Sequence, residues 1–514
     1  MKVLFVSSVS ACLEIENEKA YYAPKVFEVF VNGQNWGRKK TNVFSLFDLT
    51  PDTMYEVKVN NESVSFSTKP ESCCIDVRNN GAFGDGKTDD TQAIQTCIDA
   101  CQNGGRVRVP AGVYVCSPLF MRSNVTLELC KDAVLLGTKK RKKYLHYPAV
   151  IRKEDGTEIP FMSWEGNLIA SRGAFINAYK ANDFCIVGEG IIDANAKKAG
   201  WWKRKIIKAG KHKGQGRPRL AFFNDCQNIV LHGVIGQNSP SWTMHPFFCK
   251  NVGFYDVQVL APEISPNTDG INPECCQGVN IIGCKISTGD DCIALKSGKM
   301  HVGMQYQTPA KDTVIRNCLM CDGHGAIVLG SEISGGVQNL QVSQCVFKGT
   351  ARGLRIKTRR GRGKYSVVDD ITFSNIVMQE VKTPLVINMY YNCDSDGNTE
   401  YVWSREALPI DDRTPYLGEF TFDNIVCTDM EYIAGYFDGL VEQPIKKITL
   451  KNLVFTAKED AEEGSPALQT QRQVFKRAGL YFDNVKEVIV KNVQMQNIDG
   501  EDLILKKCDN ITID

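Results

Sequence analysis

The chain has 514 residues, with 61 Lys and Arg against 59 Asp and Glu and a net charge of +2. Hydrophobic residues make up 43% and charged residues 23%, which excludes a disordered chain, a collagen and a coiled coil. No run of 18 apolar residues occurs, so no membrane span is expected. The balanced charge argues against bulk packaging of nucleic acid.

Residues 1–70 predict a small all-β domain. Short alternating segments such as Val26–Val31 are followed by turn signals such as Asn32-Gly33. The stretch Leu49–Val57 resembles the L-x-P-x-T-x-Y pattern of fibronectin type III domains, in which the Tyr hydroxyl bonds back to the backbone. We therefore expect a fibronectin type III-like β-sandwich, followed by a linker at Lys69–Ser72.

The N-terminus and the cysteines bear on the compartment. Met1–Leu13 superficially resembles a signal peptide but leads straight into strand-like alternation, so a first β-strand is favoured. We expect a cytoplasmic protein, with secretion as the alternative, and the twenty cysteines as free thiols in the core. Cys318 and Cys321 form a CxxC pair without a second pair, so zinc is not expected.

From residue 71 the pattern changes to that of a solenoid. Asp89–Thr91 predicts the start of a helix that runs to about Cys101. Short β-type segments then recur every 23 to 34 residues between Asn228 and Asp370. Coils of three short strands, stacked about 4.8 Å apart, fit this period. Residues 71–514 are therefore predicted to form a right-handed parallel β-helix with an N-terminal helical cap, in an all-β chain.

Three aspartates are spaced by about one coil. Asp269 follows Asn267-Thr268, and the pair Asp290-Asp291 begins 21 residues later. In a solenoid this spacing places the three carboxylates on one face of adjacent coils. Mutual repulsion then raises the pKa of at least one of them, which supplies a general acid, and the others can activate water.

Two further motifs follow in the chain. Gly323-His324-Gly325 leaves an imidazole open between two glycines. Arg355 and Lys357 stand at i and i+2, so on a strand they point to one surface. Two cations beside a carboxylate cluster predict a substrate that is itself an acid.

In this order, the four motifs resemble those of glycoside hydrolase family 28, the polygalacturonases. The segments 81–91 and 238–246 also resemble the cap of that family and the coil before its active site. The resemblance implies inversion at the anomeric carbon and no metal or organic cofactor. It implies Asp290 as the general acid, Asp269 and Asp291 as the holders of the hydrolytic water, and His324 as a support for the acid. The substrate-binding residues it implies are Asn267, Lys296, Arg355, Lys357 and Tyr390, with Tyr391 as the alternative to Tyr390.

The stretch 296–304, the motif Gly330-Ser331-Glu332 and the N-terminal module resemble bacterial exo-acting members of the family. The segments 136–165 and 197–219 are expected to wall off one end of the cleft. The leading hypothesis is a hydrolase that releases galacturonic acid from the end of an α-1,4-linked galacturonan. The alternatives are a rhamnogalacturonan or xylogalacturonan hydrolase, and a non-catalytic pectin-binding protein.

Three basic runs, 139–143, 203–205 and 359–362, are expected to be exposed charge or a funnel for a polyanionic sugar. Neither nucleic acid nor a membrane is an expected partner, and the oligomeric state stays open. Trp242 is expected in the core. For His245, core packing and a place in the cleft are equally favoured.

Overall fold

The computed structural model describes residues 1–208 and 216–514. Its N-terminal part is an antiparallel β-sandwich of a three-stranded and a four-stranded sheet. In sheet order, the strands are Lys2–Val6, Ala11–Glu14 and Val43–Leu46, then Gln34–Thr41, Tyr22–Val31, Met54–Val59 and Glu62–Ser67.

Alternation within these strands buries one face of each sheet, with Val29, Val31, Val57 and Val59 in the shared core. The backbone N–H of Thr50 donates to the Tyr55 hydroxyl at 2.8 Å. This is the type of bond that a tyrosine corner makes. Assignment of the sandwich to the fibronectin type III family stays a prediction.

The rest of the chain winds into a parallel β-helix, as predicted. Three sheets each take one strand per coil, and successive coils pair in parallel. The first sheet contains Cys74–Asp76, Gly105–Val109, Val125–Leu129, Cys185–Gly188, Gln227–His232, Lys250–Tyr255, Gln277–Ile282, Ala310–Arg316 and Val337–Ser343. The second contains Asp85–Asp89, Gly112–Cys116, Ala133–Gly137, Ile191–Asp193, Ile235–Gln237, Gln258–Leu260, Lys285–Thr288, Leu319–Asp322 and Val346–Lys348. The third contains Leu119–Phe120, Ile176–Tyr179, Ala221–Asn224, Met244–Phe247, Ile293–Leu295, Ile327–Gly330, Arg352–Lys357, Thr383–Asn388 and Ile433–Asp438.

In the last coils, long strands run through more than one sheet. Short strands between residues 146 and 172 form an excursion from the early coils. The long strands are Val367–Gln379, Glu419–Met430, Ile445–Ala457, Ala478–Gln496 and Leu503–Ile513, and Tyr416–Leu417 pairs with the first of them. The short strands are His146–Tyr147, Val150–Arg152, Glu158–Pro160, Ser163–Trp164, Asn167–Leu168 and Ser171–Arg172.

The longest helix among the described residues, Thr91–Ala100, lies beside the first coils and buries Ile94, Cys97 and Ile98. The carboxylate of Asp90 accepts hydrogen bonds from the N–H groups of Phe83 and Gly84, so it secures the preceding loop and not the helix. No helix among the described residues is long and apolar enough to cross a bilayer. The shorter α-helices are Ala196–Ala199, Arg204–Ile207, Met300–Tyr306 and Glu400–Trp403, and the 3-10 helices are Arg78–Asn80 and Arg141–Lys143.

Thiols stack inside the β-helix where the sequence predicts core cysteines. Cys226, Cys249 and Cys276 lie on consecutive coils and are fully buried. The thiol of Cys249 donates to the Phe223 carbonyl at 3.2 Å, and all twenty cysteines are free. A thiol thus fills a small core volume and also satisfies a backbone acceptor.

The sandwich packs against the turns that follow the first-sheet strands. Glu14 accepts two hydrogen bonds of 2.7 Å from Arg316 and one from Asn317. His232 lies between the hydroxyls of Ser10 and Ser45, at 3.0 and 2.9 Å. Polar and apolar contacts spread over several coils therefore dock the module onto the β-helix.

Candidate active site

A cavity of about 540 Å³ opens on the outer face of the third sheet. Leu354 and Ile356 point into the core, so Arg355 and Lys357 on the same strand point outward into the cavity. Of the nine catalytic and substrate-binding residues predicted first, eight line it together, namely Asn267, Asp269, Asp290, Asp291, Lys296, His324, Arg355 and Lys357.

Coil stacking places the three aspartates side by side. The N–H of Gly270 donates to the Asp291 carbonyl at 3.0 Å, which sets Asp269 next to the Asp290-Asp291 turn. A Cβ atom on Gly270 would lie 2.4 Å from the Cys292 carbonyl oxygen. Only glycine therefore lets these two coils approach so closely.

His324 contacts Asp290 on the preceding coil. The backbone N–H of His324 donates to the Asp290 carbonyl at 3.0 Å. The imidazole Nδ1 of His324 lies 3.2 Å from Asp290 Oδ1. The hydrogen bond with Asp290 raises the pKa of His324, which favours the protonated imidazole. The side chain of His324 is 61% exposed, so the pair faces the open cavity.

Asp291 is held as a carboxylate. Burial opposes its ionisation, but Lys357 at 2.6 Å and Arg355 at 3.4 Å outweigh burial and lower the pKa of Asp291 to about 2. The same contacts occupy part of the donor capacity of both cations. Asp291 is thus fully charged at neutral pH and can accept a proton only during a reaction.

Asp269 has the opposite environment. Burial and the charge of Asp290 raise the pKa of Asp269 to about 8. Its carboxyl group accepts a hydrogen bond of 2.9 Å from the Asn272 amide, and the Lys296 ammonium lies 3.7 Å away. The cluster therefore combines a carboxyl group that holds a proton at neutral pH with one that does not.

Lys296, expected to bind substrate, is tied to neighbouring groups. Its ammonium donates to Glu332 at 2.9 Å and stands 4.4 Å from the centre of the Trp242 ring. The Lys296 side chain is only 4% exposed, although it lines the cavity. Trp242 is buried, as predicted, but it also lines the cavity.

The sequence favours Tyr390 over Tyr391 as the substrate-binding tyrosine, but the structure places Tyr391 in the cavity. Tyr390 is 1% exposed and does not line the cavity, because its ring packs 3.7 Å from the Arg405 guanidinium. Tyr391 lines the cavity, with Arg355 and Lys357 5.9 and 5.8 Å from its ring centre. Successive side chains of an extended segment point to opposite sides, so a shift of one residue decides which tyrosine reaches the site.

The predicted wall segments reach the cavity in part. Glu165, at the end of the 136–165 insertion, lines it, and the carbonyl of Gly166 accepts a bond of 2.8 Å from the Lys299 N–H. In the stretch 197–219, Arg217 donates to the Asn267 amide oxygen at 2.7 Å. Residues 209–215 of that stretch lie outside the described residues.

Two other expectations are resolved by burial. His245 is fully buried and bonds Glu274 at 2.9 Å, so it belongs to the core and not to the cavity lining. The prediction of exposed charge is wrong for the run 359–362, whose arginines are 1–3% exposed. Acidic groups inside the protein account for this burial, with Arg359 paired to Asp396, Arg360 to Glu442 and Arg362 to Asp394.

Other lining residues carry no motif in the sequence. Arg352 belongs to the same strand as Arg355, and Ser465, Ala467, Leu468 and Arg472 come from an excursion late in the chain. Distance along the chain hides the four residues of the excursion, because nothing in their local pattern indicates that it folds back over the third sheet.

Comparison with known proteins identifies the family. Residues 123–414 match the model of glycosyl hydrolases family 28, and residues 74–134 match one described as rhamnogalacturonase A/epimerase, pectate lyase-like. The chain belongs to glycoside hydrolase family 28. It is 31% identical over 383 residues to a probable polygalacturonase of Vitis vinifera, covering 73% of this chain and 72% of that protein.

Two further relatives of this family 28 protein are bacterial. An endo-polygalacturonase of Pectobacterium carotovorum is 30% identical over 327 residues, which cover 61% of this chain and 75% of the relative. The solved structure of the Yersinia enterocolitica family 28 exopolygalacturonase superimposes with a TM-score of 0.72 at 20% identity, over 99% of this chain and 97% of that one. The superposition supports the fold of the described residues, including the N-terminal part.

Proposed function

We propose that this family 28 glycoside hydrolase cleaves the α-1,4 bonds of galacturonan and oligogalacturonides with inversion, and removes galacturonic acid from a chain end. The single observation that carries the proposal is that three carboxyl groups and two cations line the same cavity. They are Asp269, Asp290, Asp291, Arg355 and Lys357. Carboxyl groups supply the acid and base of glycoside hydrolysis, and cations select an acidic sugar.

The reaction uses one proton donor and one water molecule. Asp290 gives its proton to the glycosidic oxygen as the bond from C1 to that oxygen breaks. Asp291 and Asp269 hold the water that attacks C1 from the opposite face, and the proton of this water passes to Asp291. His324, 3.2 Å from Asp290, is a positioning residue that restores the proton of the acid.

Removal of end units is supported by the shape of the site. A volume of about 540 Å³ falls within the range of about 300–1,000 Å³ that is typical of small-ligand pockets. Glu165 lines the cavity, and the hydrogen bond from the Lys299 N–H to the Gly166 carbonyl fixes this end of the 136–165 insertion beside it. Such a wall stops a polymer from passing through and leaves room for a chain end.

The test is a product time course on polygalacturonate and trigalacturonate in the presence of EDTA. We expect galacturonic acid alone from the first time points, unaffected by EDTA. A ladder of oligomers would contradict end-specific action. An unsaturated, EDTA-sensitive product would indicate a lyase and would contradict hydrolysis.

Substrates with different leaving groups can separate the roles of the carboxyl groups. Asp290→Asn should lower kcat/KM on trigalacturonate by about 10²–10⁴ but much less on an aryl galacturonide, whose phenolate leaves without an acid. Asp291→Asn should impair both substrates equally. Asp132→Asn removes an exposed carboxylate outside the cavity and serves as the control. Equal losses of Asp290→Asn on both substrates would contradict its assignment as the acid.

A further inference from the structure

The excursion between strands Ile445–Ala457 and Ala478–Gln496 forms a closed loop over the cavity. Gly464 and Phe475 exchange two backbone hydrogen bonds of 2.9 Å, which close its neck. We refer to residues 464–475 as the neck loop. It comes from the last coils, whereas Asn267 and Asp269 come from earlier coils, so the loop stands at the C-terminal end of the cavity.

The neck loop is fastened at several points. The Arg352 guanidinium donates to the carbonyls of Ser465 and Pro466 at 2.7 and 2.9 Å. The N–H of Asn392 donates to the Leu468 carbonyl at 2.9 Å. Gln469 is 3% exposed and donates to the Tyr436 hydroxyl at 3.1 Å. The tip of the loop is therefore a built wall of the site.

One cation of this wall, Arg472, has no acidic or hydrogen-bonding partner among the described residues. Five Lys and Arg side chains line the cavity, and four of them have partners: Lys296 bonds Glu332, Arg355 and Lys357 bond Asp291, and Arg352 bonds backbone carbonyls. Among the described residues, Arg472 has neither an ion pair nor a hydrogen bond. A guanidinium that faces a sugar-acid site without a protein partner is suited to a substrate carboxylate.

We propose that the neck loop closes the C-terminal end of the cleft and that Arg472 binds the carboxylate of the galacturonate unit at that end. The enzyme then acts on short oligogalacturonides in preference to the polymer. This inference rests on the proposed function, because it takes galacturonate as the sugar. It adds a specificity-determining residue and a limit on chain length.

The first experiment compares kcat/KM for trigalacturonate and for polygalacturonate, expressed per chain end. We expect the trimer to be favoured at least tenfold. Arg472→Gln should raise KM for the trimer about tenfold, since a charge-assisted hydrogen bond is lost, with the effect on KM larger than that on kcat. Lys476→Gln, which removes an exposed cation just beyond the loop and outside the cavity, should leave both constants unchanged.

A second variant replaces residues 465–474 by a short Gly-Ser linker and keeps Gly464 and Phe475. It should raise the ratio of polymer to trimer activity at least tenfold, with folding checked by circular dichroism. If the wild type favours the polymer, or if Arg472→Gln behaves like Lys476→Gln, the inference fails while the proposed function stands. If the wild type hydrolyses nothing, the proposed function fails.

In that case, calorimetric titration of trigalacturonate decides the role of Arg472. The titration compares the Asp290→Asn protein with the Asp290→Asn/Arg472→Gln protein. We expect tenfold weaker binding to the double variant, and equal binding would overturn the role of Arg472.

Discussion

At the residue scale, carboxyl groups of the same kind in the cavity have different surroundings. Asp269 and Asp291 are both buried carboxyl groups, yet the pKa of Asp269 is raised to about 8 and that of Asp291 is lowered to about 2. The difference arises because Asp290 repels Asp269, whereas Lys357 and Arg355 contact Asp291. Neighbouring charges, and not residue type, thus give the two carboxyl groups different protonation states at neutral pH.

The His324–Asp290 contact predicts how activity depends on pH. Because the pKa of His324 is raised, the imidazole stays protonated to a higher pH than an ordinary histidine. It loses the proton as the pH rises through that pKa. We expect kcat/KM to fall along this basic limb. In His324→Asn this limb should be absent, since the imidazole whose loss of a proton produces it has been removed. A profile that does not change with the mutation would contradict the role of His324.

The adjacent tyrosines predict opposite phenotypes. Tyr391→Ala should lower kcat/KM by about 10- to 100-fold with little change in stability, because Tyr391 lines the cavity beside Arg355 and Lys357. Tyr390→Ala should instead lower the free energy of unfolding by about 3 kcal/mol, the usual cost of removing a buried aromatic side chain. Steady-state kinetics and urea unfolding of both proteins measure the contrast. A kinetic defect confined to Tyr390→Ala would reverse the assignment.

At the element scale, the turns between the first and second sheets carry the docking of the sandwich. The turn at Gly233 follows strand Gln227–His232 and adopts φ +78°. A Cβ atom there would lie 2.3 Å from the Phe47 ring of the module. The turn is thus limited both by its own backbone conformation and by the neighbouring domain.

Two glycine substitutions separate these limits. Gly104 has the same φ of +78°, but no atom lies within 4 Å of the place that a Cβ atom would take. Gly104→Ala should destabilise the protein by about 1 kcal/mol from backbone strain alone. Gly233→Ala should cost about 2–4 kcal/mol, since a steric clash is added to that strain. Equal losses in chemical denaturation would show that Phe47 yields without cost.

At the scale of the whole molecule, the sandwich and the β-helix are joined by buried polar contacts away from the chemistry. No residue of the module is among those that line the cavity in the described structure. The pKa of His232 is lowered to about 3 by burial, so the interface holds a neutral imidazole. Between about pH 6.5 and 3 the unfolded chain binds a proton at His232 that the folded protein excludes, and stability falls as the pH falls.

The Glu14 contacts predict how strongly the module is attached. Glu14→Ala removes the acceptor of three hydrogen bonds and leaves the part-buried Arg316 without its carboxylate. We expect a loss of about 2–3 kcal/mol in the free energy of unfolding. Glu18→Ala, at an exposed residue nearby, should change it by less than about 0.5 kcal/mol. A similar change in both variants would mean that the Glu14 contacts add no net stability.

The sequence alone determined the β-helix and most of the cluster. Strand-length segments recur with the period of a coil, so a spacing of 21 residues is enough to bring Asp269 beside Asp290 and Asp291. The order of the motifs identified the family, which the family match confirms. Repetition makes these contacts local in space, because each coil meets mainly the coils before and after it.

The tertiary structure decided what repetition does not encode. The side to which Tyr390 and Tyr391 point depends on a shift of one residue, and the burial of the run 359–362 depends on acidic partners such as Asp396 and Glu442, which lie 34 or more positions further along the chain. Arg352 and Arg472 become part of the site only when a loop more than 100 residues beyond Arg352 folds back over it. Excursions from the coils have no period, so their contacts depend on distant side chains that no local pattern reveals.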